Sequence, residues 1–135
     1  MVDDVQNNAI VAEIGAFSGF RNPTLSLTGS AADQFANLVR QTVNREPIHP
    51  PPPPKLGHYY GFLVRMPAEL ARQLGIPPRL RAYQAVLTEG DGREQKHWRD
   101  VSGVERFLTG EAYQQGHGEI LKKLGVERSG DAVRP

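Results

Sequence analysis

The chain has 135 residues, 39% hydrophobic and 23% charged, and its 16 basic and 15 acidic side chains leave a formal net charge of +1. That length suits one domain of ordinary size with a real core, and the composition is globular rather than disordered. The charge balance argues against a protein whose main task is coating nucleic acid, and the absence of cysteine excludes disulfides, thiolate catalysis and cysteine-based zinc sites.

Residues 1–8 are polar and read as a flexible tail. Met1-Val2-Asp3-Asp4 carries acid where a secretory signal would carry Lys or Arg, and no run approaches the ~18 apolar residues of a membrane span. A cytoplasmic protein with no membrane partner is the expectation. Residues 9–17 read as a strand, with Ile10, Ala12, Ile14 and Ala16 alternating onto one face. After the loop Ser18-Gly19-Phe20-Arg21-Asn22-Pro23, residues 24–28 repeat that period, so a hairpin is predicted.

Ser30-Ala31-Ala32-Asp33 has the form of a helix start, a hydroxyl cap followed by an acid near the positive helix end. Ala32, Phe35, Leu38, Val39 and Thr42 fall on one helical stripe. Residues 44–57 contain five consecutive prolines, Pro50 to Pro54. They predict a polyproline II strut spanning roughly 15 Å at ~3.1 Å per residue.

Beyond the strut, residues 58–66 are aromatic and β-branched and predict a strand. Pro67 at a first helical position and Gly75 just past the end frame one short helix. Residues 79–88 read as a single strand, turned by Glu89-Gly90-Asp91-Gly92 into another at 93–98. Ser102-Gly103-Val104-Glu105 offers a second capping box, opening a helix whose apolar face carries Val104, Phe107, Leu108 and Ala112. Residues 119–124 predict a last helical piece stopped by Gly125, and 126–135 a flexible tail.

The fold expected is therefore α+β: an antiparallel sheet of about five strands with two main helices on one face, in the order β-β-α-β-(short α)-β-β-α. It occupies residues 9–125 as one domain, with the Pro-rich strut inside it.

Candidate binding residues are Ser18, Arg21 and Asn22 in the first loop, whose donors suit a carboxylate or phosphate, although the same residues serve as ordinary turn formers. Tyr59 and Trp98 are candidates for an exposed aromatic patch facing a partner, with core packing as the plainer reading. The four histidines, His49, His58, His97 and His117, show no metal-ligand spacing. No nucleophile elbow or phosphate loop appears, so no catalytic residue, metal or cofactor is assigned. His97 with Asp100, or His58 with a distant acid, are the pairs that could act as acid and base if they met in space.

The Ser-Gly-x-x-Asn-Pro spelling of residues 18–23, with Gly57-His58-Tyr59-Tyr60-Gly61-Phe62 downstream, resembles small uncharacterised bacterial proteins and implies no activity. Residues 64–76, Val-Arg-Met-Pro-Ala-Glu-Leu-Ala-Arg-Gln-Leu-Gly-Ile, followed by a strand and Asp91-Gly92, are similar to the swapped-hairpin repeat of AbrB-type transition-state regulators. That likeness implies intertwined units whose Arg65, Arg72, Arg79 and Arg81 grip DNA phosphates; Pro77-Pro78 stands where the family has a glycine.

The functional expectation is a non-catalytic binding or accessory protein that holds a protein or peptide partner through a sheet face or the Arg21–Asn22 loop, with a homodimer left open. The alternatives are a small enzyme with a His base and Arg21 orienting an anionic substrate, and a DNA-binding regulator using the Arg65–Arg81 segment.

Overall fold

The computed structural model describes residues 10–16, 22–51, 59–90 and 95–126. Strand alternation builds it. β1 (Ile10–Gly15) turns Ile10, Ala12 and Ile14 to one side, all fully buried, and β2 (Thr24–Leu27) does the same with Leu25 and Leu27. β3 (Gly61–Arg65) contributes Phe62 and Val64, β4 (Arg79–Tyr83) Leu80 and Ala82, β5 (Val86–Glu89) Leu87, and β6 (Lys96–Arg99) Trp98. The strands form one sheet in the order β2-β1-β3-β4-β5-β6, with every neighbouring pair antiparallel. Register aligns the apolar sets into rows. Leu25, Ala12, Val64 and Leu80 lie opposite one another in turn, as do Ile14, Phe62, Ala82, Leu87 and Trp98.

The described helices are α1 (Gly29–Val43), α2 (Ala68–Leu74), α3 (Val104–Gln114) and α4 (Gly118–Lys123). Phe35, Ala36 and Val39 of α1, Ala71 of α2, Val104, Leu108 and Ala112 of α3, and Leu121 of α4 join the sheet's apolar side in a single cluster. Residues from both sides of the proline run thus share this cluster. The stripes at 32–42 and 104–112 are the faces that bury, with Leu38 and Phe107 at their half-buried margins. Pro67 and Gly75 frame α2 as their chemistry requires, Gly75 closing it in the left-handed conformation at φ 71°.

The sheet has six strands rather than about five, because the run at 79–88 is two strands and not one. Tyr83 pairs with Val86, leaving Gln84 and Ala85 as a two-residue hairpin link, both at positive φ (50° and 63°). Such a link wants Asn-Gly or Gly-Gly, and nothing in the local spelling announces it. The strain is imposed by pairing on both sides and by Asp100, whose N–H donates to the Ala85 carbonyl at 2.8 Å. Substituting Asn at 84 and Gly at 85 together should raise the unfolding free energy by about 1 kcal/mol. Urea denaturation would read this as a higher midpoint at unchanged slope.

β3 also begins later than its aromatic run suggests. Gly61 sits at φ 102°, which breaks the alternation before it. Tyr59 therefore lies edge-on to Phe62, and Tyr60 lies against Gly15 on the sheet's other side. A strict period of two through this run would put Tyr60 with Phe62. Of the strut, residues 52–58 lie outside the described residues. Its first part docks on the outer edge of β6, where the Ile48 N–H donates to the His97 carbonyl at 2.7 Å and Trp98 Nε1 donates to the Arg45 carbonyl at 3.1 Å. No described helix is long and apolar enough to cross a membrane.

Candidate functional site

The described helices lie on one side of the sheet, and among the described residues no helix covers the opposite side. The residues alternating onto it include Glu13 from β1, Leu63 and Arg65 from β3, Arg79 and Arg81 from β4, and Arg99 from β6. Four guanidinium groups, those of Arg65, Arg79, Arg81 and Arg99, thus share a face on which the described strands place one carboxylate, Glu13. Arg65 lies directly across from Arg79, and Leu63 from Arg81. These residues border a depression of about 380 Å³ whose lining includes Glu13, Leu63, Arg65, Arg79, Arg81 and Gln95. Arg65 reaches Glu13 at 3.4 Å across a solvent-exposed gap, a contact worth little in stability.

Asn22 stands at the rim of this face. Its amide Nδ2 donates to Glu13 Oε2 at 2.7 Å and to the Tyr60 hydroxyl at 3.3 Å, while its Oδ1 accepts the Ala16 N–H at 3.3 Å. The side chain therefore holds the end of β1, a structural role that also orients Glu13 toward the arginines. Ser18 and Arg21 lie outside the described residues.

Tyr59 and Trp98 do not form an exposed patch. Trp98 is 4% exposed, packed under the incoming strut and satisfied at its indole N–H by Arg45. Tyr59 is turned inward against Phe62 and Tyr83, and its hydroxyl donates to Glu105 Oε2 at 2.7 Å. Burial, and then the Glu105 carboxylate, push the Tyr59 phenol far above its usual range. Glu105 is itself raised, first by burial and then by the Asp100 carboxylate, against the hydrogen bonds from Tyr59 and the Gln84–Ala85 link. This cluster ties α3 to the strained hairpin.

Asp100 caps α3. Its Oδ1 accepts the N–H groups of Gly103 and Val104 at 3.0 and 2.7 Å, and its Oδ2 that of Glu105 at 2.9 Å, so three orphan donors and the positive helix end meet one carboxylate. Ser102, expected to cap that helix, is instead drawn to α1, donating to the Leu38 carbonyl at 2.6 Å beside the Thr42 hydroxyl at 2.8 Å. Ser30 does not cap α1 either: the helix begins at Gly29, with Thr28 in the cap position and no side-chain cap bond. His97 does not meet Asp100. Its Nδ1 lies 2.9 Å from the Thr88 hydroxyl, and burial, with the Arg81 charge second, holds its imidazole below the ordinary range. His58 lies outside the described residues.

Among the described residues no three His, Asp or Glu groups converge as a metal site. Arg72, grouped with the other arginines in sequence, stands apart on α2 paired with Glu69. The cluster of Arg65, Arg79 and Arg81 has a signal in sequence, since each falls on one side of its own strand. What the strings do not contain is that β3 and β4 are neighbours in this register. No protein-family model matches the chain, and comparison with curated proteins and with solved structures finds no match.

Proposed function

We propose that the protein is a non-catalytic binding protein whose helix-free sheet face holds an acidic stretch of a protein partner. One observation carries this: Arg65, Arg79 and Arg81 crowd a single depression from adjacent strands, two of them directly opposite each other. Guanidinium groups so placed can hold a carboxylate-bearing ligand through charge-assisted, bidentate hydrogen bonds. Arg79 and Arg81 are two residues apart on β4, a separation of about 6.6 Å at ~3.3 Å per residue. That is the repeat of carboxylates at alternate positions of an extended peptide. The whole chain carries a formal net charge of only +1, without the clear basic excess of a protein that coats a long polyanion. This favours a short acidic segment over a long polyanion. His97 and Asp100, the candidate acid–base pair, are each engaged elsewhere.

The test is fluorescence anisotropy with a labelled peptide of alternating Glu and Ser, its Lys counterpart, and a DNA duplex of equal length. The Glu peptide should bind the wild type, weaken as salt rises, and lose at least about tenfold in affinity, ~1.4 kcal/mol, in the Arg79→Glu/Arg81→Glu variant. Equal binding by that variant, or tighter binding of the duplex than of the peptide, would reject the reading.

A further inference from the structure

β2 is the outermost described strand at one end of the sheet, and its outer edge is not left bare. The Ser26 N–H donates to Gln115 Oε1 at 3.3 Å, and Gln115 Nε2 donates back to the Ser26 carbonyl at 2.8 Å. One carboxamide thus fills both hydrogen-bonding positions of one strand residue, as a peptide group of a further strand would. Two residues along, His117 Nε2 lies 3.0 Å from the Thr24 carbonyl. A carbonyl only accepts, so that nitrogen carries the hydrogen. These contacts lie at the surface, where water could serve Ser26 and Thr24 equally well. Holding two side chains in fixed rotamers there costs entropy with little gain in stability.

Edge protection explains the arrangement. Unpaired strand edges template association with other chains. The opposite edge, β6, is covered by backbone through Ile48, whereas among the described residues the outer edge of β2 is met by the side chains of Gln115 and His117. The β2 segment Thr24-Leu25-Ser26-Leu27 is short but bears no charge and no proline within it, two of the devices that commonly blunt an exposed edge.

We infer that Gln115 and His117 form a displaceable guard, and that the edge beneath it fits β2 of a second copy of this chain. In an antiparallel pair centred on Ser26, the two copies' Ser26 residues would exchange both N–H···O bonds, replacing the two that Gln115 supplies. The contact is then self-complementary, as two-fold symmetry demands. No charge opposes it, because none lies on the strand. This surface is separate from the arginine face.

Sedimentation velocity of the full chain across a concentration series tests it. Gln115→Met keeps the side chain's length and loses both bonds. It should lower the dimer dissociation constant at least about tenfold relative to wild type, and Gln115→Ala with His117→Ala should do the same by a different truncation. Adding Ser26→Pro, which removes the outward N–H and is tolerated on edges, should return either variant to the monomer. Unchanged association in both variants, or dimers that persist with proline at position 26, would overturn the inference.

Discussion

Gly61→Ala is expected to be the most damaging conservative change in the chain, lowering the unfolding free energy by about 2–6 kcal/mol. Two costs add. At φ 102° any residue with a Cβ is held in a region open almost only to glycine, a strain of about 1–3 kcal/mol. The added carbon would also stand 2.4 Å from the Ala82 carbonyl oxygen and 2.6 Å from the Tyr83 Cβ. The nearest atom is backbone of a central strand and cannot swing aside, so β3 and β4 must part, at about 1–3 kcal/mol for overpacking of this kind. Against a total of about 5–15 kcal/mol, that is enough to unfold a marginal variant. The matched control is Gly110→Ala, in the body of α3, where an added Cβ meets nothing within 4 Å and should stabilise by about 1 kcal/mol through helix propensity. Chemical denaturation of the two alanine variants should move in opposite directions. A Gly61→Ala protein as stable as wild type would mean that β3 does not approach β4 as described.

Phe35→Ala is expected to cost about 3–5 kcal/mol, the range for deleting a fully enclosed aromatic ring. Phe35 is 0% exposed and belongs to the cluster that joins α1 to the sheet. α1 has no side-chain cap bond at its start, so its stability rests on that buried face rather than on its terminus. Asp33→Ala, two residues earlier on the exposed side of the same helix, should stay within about 0.5 kcal/mol of wild type. The comparison separates loss of packing from loss of helix propensity. Equal effects from the two changes would show that α1 is not held by its apolar stripe.

Periodicity carried most of the architecture. Ile10, Ala12 and Ile14 are buried because a period of two leaves them no other side, and Phe35, Val39, Leu108 and Ala112 because a period of 3.6 does the same for a helix. Pro67 and Gly75 marked the bounds of α2 by what their backbones allow. The misses share a cause. Gln84 and Ala85 form a turn that neither residue favours, because strand pairing and the Asp100 N–H hold them there. Asp100 rather than Ser102 caps α3, because Ser102 is claimed by Leu38 and Thr42 from 64 and 60 residues away. Trp98 is buried because the chain after α1 returns to the β6 edge. In each case a contact distant in sequence outbid the local preference.

The sequence by itself determined which residues turn inward, where the four described helices lie to within a few residues, and that the molecule mixes strands with helices. Those properties depend on neighbours a few positions away, and a string of residues contains them. Only the tertiary structure decided which strands lie side by side, and hence that Arg65 meets Arg79 across β3 and β4 on the face away from the helices, and that Gln115 reaches Ser26 at the outer edge of β2. The physical reason is that pairing order and register are chosen by the packing of the whole apolar cluster. A charge pattern spread over two strands becomes a site only after that choice is made.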